Sequence, residues 1–194
     1  QGGHNQDAGE LMGMRDKYDV IIIGGGPAGV SAALYTLRAG LSTAILMRDE
    51  GTLGKVAEIE NYYGFSAPVS GKALAGSGLE GAIRLGADIL RAEVVGVEFL
   101  EDFSVKTKDT ALSARAVIMA TGSSRKKAGV AGLERFEGSG VSYCALCDAY
   151  YHRGKDVAVL GAGAYALHEA VELSHIVRSV TLLTNTAEPE EAVP

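Results

Sequence analysis

Cysteine is almost missing from this chain. The two present, Cys144 and Cys147, share one stretch, SYCALCD at 142–148. With no second Cys pair, a closed four-thiolate zinc site is excluded; histidines would have to complete it, and His152 is the only one near in sequence. No further cysteine offers a disulfide framework and the polar opening carries no hydrophobic signal segment, which weighs against a purely structural bridge. No apolar run reaches the roughly 20 residues of a membrane span. A basic excess is lacking too: 18 Lys and Arg against 24 Asp and Glu leave a net charge of −6, which argues against a broad nucleic-acid surface. These absences leave a globular chain expected in the reducing cytoplasm, without membrane, nucleic acid or metal.

What is there points to redox chemistry. A Cys-x-x-Cys spacing closes a very small loop, so its disulfide opens and closes readily and one thiolate can be stabilised over the other. The 194 residues, 47% of them hydrophobic, suffice for one good domain or two small ones. The 26 glycines follow no G-X-Y period and cluster at turns between apolar strands, the mark of an α/β protein with tight phosphate-binding turns.

Residues 1–15, which open on Gln1, are expected to form a disordered or appended tail outside the fold. Residues 18–23 form an apolar, β-branched run expected to be a strand buried on both faces. GGGPAG follows at 24–29. A helix opened by Pro27 and stopped by Gly40 leads to a second strand at 43–47. Strand, G-x-G-x-x-G turn, helix and strand together form the context a dinucleotide fingerprint requires. Gly24 permits the turn, Gly26 lets backbone approach a pyrophosphate, Gly29 lets helix meet strand, and Pro27 and Ala28 open the helix whose free N–H groups face the anion. The acid that takes the ribose hydroxyls would fall at Met47; the nearest carboxylates are Asp49 and Glu50. Asp49, Thr52 and Leu53 are taken as cofactor-binding candidates after this strand.

A helix is expected over 72–86, weakened by Gly76, Gly78 and Gly81. Residues 93–99 and 103–107 alternate like half-exposed antiparallel strands, forming a small meander, and the apolar run 116–120 returns to the main sheet. Thr121 and Gly122 end that strand. The basic run Arg125-Lys126-Lys127 fits a solvated linker better than a phosphate contact. The boundaries are therefore 16–122 for a first unit and 123–194 for a second. The second repeats the first: a buried strand at 156–160, a G-x-G-x-x-A turn built on Gly161, Gly163, Ala164, Tyr165 and Ala166, a helix to about Arg178, and a strand at 180–183.

Two dinucleotide turns with a Cys-x-x-Cys ahead of the second resemble the low-molecular-weight, bacterial-type thioredoxin reductases and their flavoprotein relatives. The resemblance runs from about Tyr18 to Leu183 and rests on GGGPAG, EIENYYGF at 58–65, ATG at 120–122, GVSYCALCD at 140–148 and RGKDVAVLGAGAYALHEA at 153–170. It implies two Rossmann-like units, FAD on the first turn and NAD(P)H on the second. It also implies a dithiol that passes electrons to the disulfide of a thioredoxin-like partner, and a homodimer. By position, Cys147 would face the flavin, Cys144 would attack the partner's disulfide, and Asp148 would serve the leaving thiol as acid or base, or else act as a cap. Glu60 and Asn61 resemble the pair that meets the flavin edge, Asn61 being equally suited to a turn.

Departures from the family pattern bear on the electron source. Where NADPH-dependent members carry a His-Arg-Arg stretch for the 2′-phosphate, this chain has Thr184-Asn185-Thr186; neutral side chains do not replace that charge, and the first acid is Glu188. His168 stands for an expected Glu and Ala149 for a Gly. The donor is therefore open between NADPH, NADH and ferredoxin. The chain also ends before the segment with which family members resume the FAD domain, so it is expected to be truncated. A dithiol oxidase of the same family and a non-catalytic nucleotide-binding or redox-sensing fragment are the other readings.

Overall fold

The computed structural model describes residues 15–123, 128–137, 139–145, 149–185 and 187–188. The chain divides into two units, Gln1–Lys126 and Lys127–Pro194. In the first, strand β1 (Lys17–Ile23) leads through the glycine turn into helix α1 (Pro27–Arg38) and strand β2 (Thr43–Met47). Helix α2 (Gly71–Arg84) and strand β3 (Asp88–Arg91) follow, then the strands β4 (Val94–Phe99), β5 (Phe103–Thr107) and β6 (Ala111–Met119).

These six strands form one sheet in the order β3-β2-β1-β6-β5-β4. β1 lies between β2 and β6, parallel to both, with Ile22 opposite Ile45 on one side and Ile118 on the other. β4, β5 and β6 run antiparallel as the expected meander. The apolar run of β1 is explained by burial on both faces. Val20, Ile22 and Ile45 pack with Val30 and Ala33 of α1 and Ala82 of α2; Ile21, Ile23, Ala44 and Leu46 pack with Val105, Leu112 and Ala114 of the meander. Each fully buried Ile contributes roughly 1.5–3 kcal/mol relative to exposure. Tyr18, 1% exposed, accepts a hydrogen bond from the Arg15 N–H (3.0 Å) and donates to Asp88 Oδ2 (2.8 Å). Burial is the main cause that pushes its hydroxyl up to about 12.

Two expectations change here. β3 was not foreseen, although it extends the sheet parallel to β2. β6 begins at Ala111 instead of 116, because its first residues pair with β5. α2 forms despite its glycines: Ser70 Oγ accepts from the Ala73 N–H at 3.1 Å, capping its start.

The second unit holds β7 (Asp156–Leu160), helix α3 (Ala164–Ser174) and β8 (Ser179–Leu183). β7 and β8 pair in parallel. β7 was expected to be a buried strand, yet β7 and β8 both alternate between exposed and half-buried residues. Among the described residues only one face is covered, where Val157, Val159 and Val180 pack against Ala149, Leu173 and Val177. α3 ends at Ser174, four residues before the expected stop. At the strand starts Arg178 grips the Asp156 carboxylate with two nitrogens, and Ser179 Oγ donates to it at 2.6 Å. These bonds, Arg178 first, hold the Asp156 carboxyl below its ordinary range. Among the described residues no helix is long and apolar enough to cross a membrane.

Candidate functional site

In the first unit the parallel strands β1, β2, β3 and β6 bring their carboxyl ends to one edge, where ligands bind in open α/β sheets. Gly24 has φ +120° and a side-chain carbon on it would meet the Ala120 carbonyl oxygen at 2.1 Å and the Thr121 nitrogen at 3.2 Å. Ala120 and Thr121 are therefore in contact with Gly24, 96 and 97 residues earlier in sequence. A carbon on Gly29 would lie 1.9 Å from the Gly24 carbonyl oxygen, so the third glycine is the close-packing one. Around Gly26 nothing lies within 4 Å of such a carbon. The start of α1 has no side-chain cap, Pro27 takes its first position, and the next bonded amide is the Val30 N–H on the Gly26 carbonyl. Open space at Gly26 with the uncapped N–H groups of Ala28 and Gly29 is a cradle that fits the pyrophosphate of a dinucleotide.

Beside it is a cavity of about 160 Å³ lined by Gly25, Met47, Glu50, Gly76, Glu80 and Arg91, among others. Gly25 matters in a way its motif position does not announce: a carbon there would strike the Met47 side chain at 2.6 Å. Asp49 does not line this cavity. Its carboxylate accepts from the Gly51 N–H (2.8 Å) and from Arg48 Nε (3.3 Å), closing a turn, and the Gly51 bond is the leading cause that holds the carboxyl below its usual range. Glu50, Glu80 and Arg91 were missed; Glu50 was named only as a nearby carboxylate. Thr52 and Leu53 precede and open a short 3₁₀ turn (Leu53–Lys55), locked by Gly71, where a side-chain carbon would lie 2.0 Å from the Leu53 carbonyl oxygen. Glu60 and Asn61 are exposed, next to the antiparallel bridge between Ile59 and Val69.

In the second unit, Cys144 is disulfide-bonded and half-buried. Cys147 and Asp148 lie outside the described residues. Ser142 Oγ accepts from the Cys144 N–H (3.1 Å) and donates to the Cys144 carbonyl (3.2 Å). The Ala145 N–H donates to Glu169 Oε2 at 2.6 Å, and the Tyr143 hydroxyl donates to Glu137 Oε1 at 2.9 Å. Ser142, Glu137 and Glu169 were not singled out; only the first stands near the cysteines in sequence.

The second turn repeats the first in detail. The Gly24 N–H donates to the Leu46 carbonyl at 2.8 Å, and the Gly161 N–H donates to the Leu183 carbonyl at 3.0 Å. Gly161 has φ +148°, and a carbon on it would lie 2.8 Å from Cβ of Ala166, the third residue of this fingerprint. α3 starts at Ala164 after Gly163, and the Leu167 N–H donates to the Gly163 carbonyl. Beyond β8, Asn185 adopts φ +50° and the Ala187 N–H donates to the Thr184 carbonyl at 3.1 Å. Thr186 lies outside the described residues and Glu188 is exposed. Ala149, where the family pattern has Gly, is buried with Leu173 and Val177, so its methyl fills core; His168 is exposed. Among the described residues no cluster of His, Cys, Asp and Glu could hold a metal.

The chain is similar to the thioredoxin reductase of Listeria monocytogenes, 40% identical over 169 residues that cover 86% of this chain and 53% of that protein. It is similar to that of Aquifex aeolicus as well, 41% identical over 177 residues, 88% of this chain and 54% of the relative. The crystal structure of thioredoxin reductase from Streptococcus pyogenes superposes with a TM-score of 0.85 at 36% identity, covering 91% of this chain and 58% of that one. The chain thus spans about half the length of the curated relatives it matches. The family model for pyridine nucleotide-disulphide oxidoreductases matches residues 18–194, and this chain belongs to that family.

Proposed function

We propose that this chain belongs to an FAD-dependent disulfide oxidoreductase that passes two electrons through the flavin to the Cys144/Cys147 pair and on to the disulfide of a thioredoxin-like protein. The observation that carries this reading is that Cys144 is disulfide-bonded in a segment braced by Ser142 and Glu169, in the same unit as the second dinucleotide turn. The thioredoxin reductases to which the chain is similar support it.

Gly24, Gly26, Ala28 and Gly29 would hold the FAD pyrophosphate, with Glu50 beside Gly25 facing the adenosine side and Thr121 and Gly122 closing the strand end. Bound there, FAD supplies a two-electron carrier. The protein's own part is thiol chemistry: the Cys144 thiolate attacks one sulfur of the partner's disulfide, forming a mixed disulfide and releasing the partner's other sulfur, which takes a proton from Asp148. Asp148, its proton given up, takes the proton of the Cys147 thiol; the Cys147 thiolate attacks Cys144, the partner's second sulfur leaves and takes a proton from solvent, and the intramolecular disulfide is restored. Two electrons and two protons have moved to the partner.

The second turn takes the electron donor. With Thr184 and Asn185 at the end of β8, no guanidinium selects a 2′-phosphate, so NADPH and NADH are used comparably or ferredoxin replaces them. The active form is a homodimer. The test is anaerobic stopped-flow bleaching of the flavin in purified protein by NADPH, NADH or reduced ferredoxin, followed by reduction of thioredoxin disulfide. Protein that holds no flavin, or a Cys147→Ser variant with undiminished disulfide reduction, sinks the proposal.

A further inference from the structure

Helix α3 does more than open with a dinucleotide turn. Tyr165 and Glu169 stand four residues apart and so share one face of the helix, one turn above the other. Glu169 Oε2 accepts from the Ala145 N–H at 2.6 Å, a charge-assisted bond and therefore one of the stronger kind. The Tyr165 hydroxyl makes a longer contact of 3.5 Å with the Tyr143 carbonyl oxygen. Those two backbone groups lie immediately after and immediately before Cys144. Ser142 Oγ holds the N–H and carbonyl of Cys144 itself. Three successive residues around one sulfur are therefore tied down, two of them by the same helix face.

Neither contact is explained by core packing, because Tyr165 is exposed and Glu169 only half-buried. A carboxylate on the amide next to a thiol also has an electrostatic consequence. It opposes negative charge on Cys144, whereas a bare backbone N–H would favour it. A dithiol whose thiolate is less favoured has a less stable reduced form, and its disulfide is the weaker oxidant.

We propose that Tyr165 and Glu169 are positioning residues for Cys144: together they fix the backbone on both sides of the sulfur, and the Glu169 carboxylate keeps the disulfide at the reducing end of its range. This rests on the dithiol reading above. It assigns a role to Tyr165, so far counted only as part of a nucleotide turn, and to Glu169.

The test uses the full chain carrying Glu169→Gln, Glu169→Ala or Tyr165→Phe. The disulfide is equilibrated in glutathione redox buffers, with trapped thiols counted by mass spectrometry, and exchange of the Ala145 amide is followed by NMR. Glu169→Gln keeps an acceptor and loses the charge. It should leave the Ala145 amide protected while raising the equilibrium constant for reduction about threefold, or about 14 mV at 29.6 mV per tenfold. Glu169→Ala should shift that constant as well and speed Ala145 exchange on the order of tenfold. Tyr165→Phe should leave Ala145 exchange as in the parent and lower the rate of mixed-disulfide formation with thioredoxin about twofold. Parental redox equilibria in both Glu169 variants, with unchanged Ala145 exchange, would overturn the assignment. If instead the reduced parent chain fails to reduce thioredoxin disulfide while the Glu169 shifts appear, the proposed function falls and the positioning role stands.

Discussion

A side-chain carbon on Gly24 would lie 2.1 Å from the carbonyl oxygen of Ala120, so the first glycine of the turn and the end of β6 exclude any larger residue between them. Gly26, two residues on, has open space around it and an extended backbone with φ −76° that any residue adopts. The two glycines thus meet different surroundings, one packed against a strand end and one facing open space.

That difference separates two variants. Gly24→Ala must move backbone and strains a positive φ, so it should lower thermal stability by about 2–4 kcal/mol. Gly26→Ala should melt with the parent, within about 0.5 kcal/mol, yet bind FAD at least tenfold more weakly, because the methyl fills the phosphate cradle. Differential scanning calorimetry and flavin titration of the apoprotein read the two effects independently. Equal melting losses in both variants would contradict the assignment.

Glu50 and Asp49 give a second contrast. Asp49 is committed to its own turn through the Gly51 N–H, and Glu50 lines the cavity beside Gly25. Glu50→Gln should weaken FAD binding on the order of tenfold, the loss of one charged hydrogen bond to a ribose hydroxyl. Asp49→Asn should change it less than about twofold. Fluorescence titration with FAD measures both.

The buried Tyr18 hydroxyl sets an alkaline limit. Its ordinary value is 10.0 and burial raises it to about 12 in the fold, so the folded state holds the proton more tightly than the unfolded chain. This contribution is complete below pH 10 and is lost as the pH rises through about 12. Urea unfolding across that window should show stability falling with pH. Tyr18→Phe should flatten that limb and cost about 1 kcal/mol at neutral pH through the lost bond to Asp88.

At the second turn, Thr184 is the first residue past β8. Thr184→Arg should lower the apparent Kd for NADPH about tenfold and leave NADH within twofold, since a guanidinium pairs with the 2′-phosphate only. Stopped-flow reduction at graded nucleotide concentrations provides the check. An equal gain for both nucleotides would place the new arginine on a shared phosphate.

Much of the frame was legible because it is written in local chemistry. The run 18–23, the glycine turn and Pro27 lie within a dozen residues and specify strand, turn and helix without help from elsewhere. β3 was not legible: Asp88-Ile89-Leu90-Arg91 is only four residues long, with charged ends, and becomes a strand because β2 offers it an edge. The half-exposure of β7 escaped notice for a related reason, since an apolar run reports what a strand is able to bury and not what covers it. At the site, the glycines and cysteines announced themselves through spacing. Glu169 reaches Ala145 across 24 residues, and no local pattern encodes that approach. Asp49 and Glu50 looked alike in sequence; what separates them is a side chain that closes back on the Gly51 amide.

The central place of β1 bears on how the chain folds. One of its edges is satisfied early, by β2 some two dozen residues later, but the other must wait for β6, whose Arg115 pairs with Asp19 across 96 residues. Closing so long a loop costs chain entropy before any ladder bond forms in return. During synthesis, strand β1 and its apolar face therefore emerge well before their second partner exists. Until Ala111–Met119 has been made, the nascent first unit exposes the apolar run Val20–Ile23 along an unpaired edge, the stage at which a chaperone has most to protect.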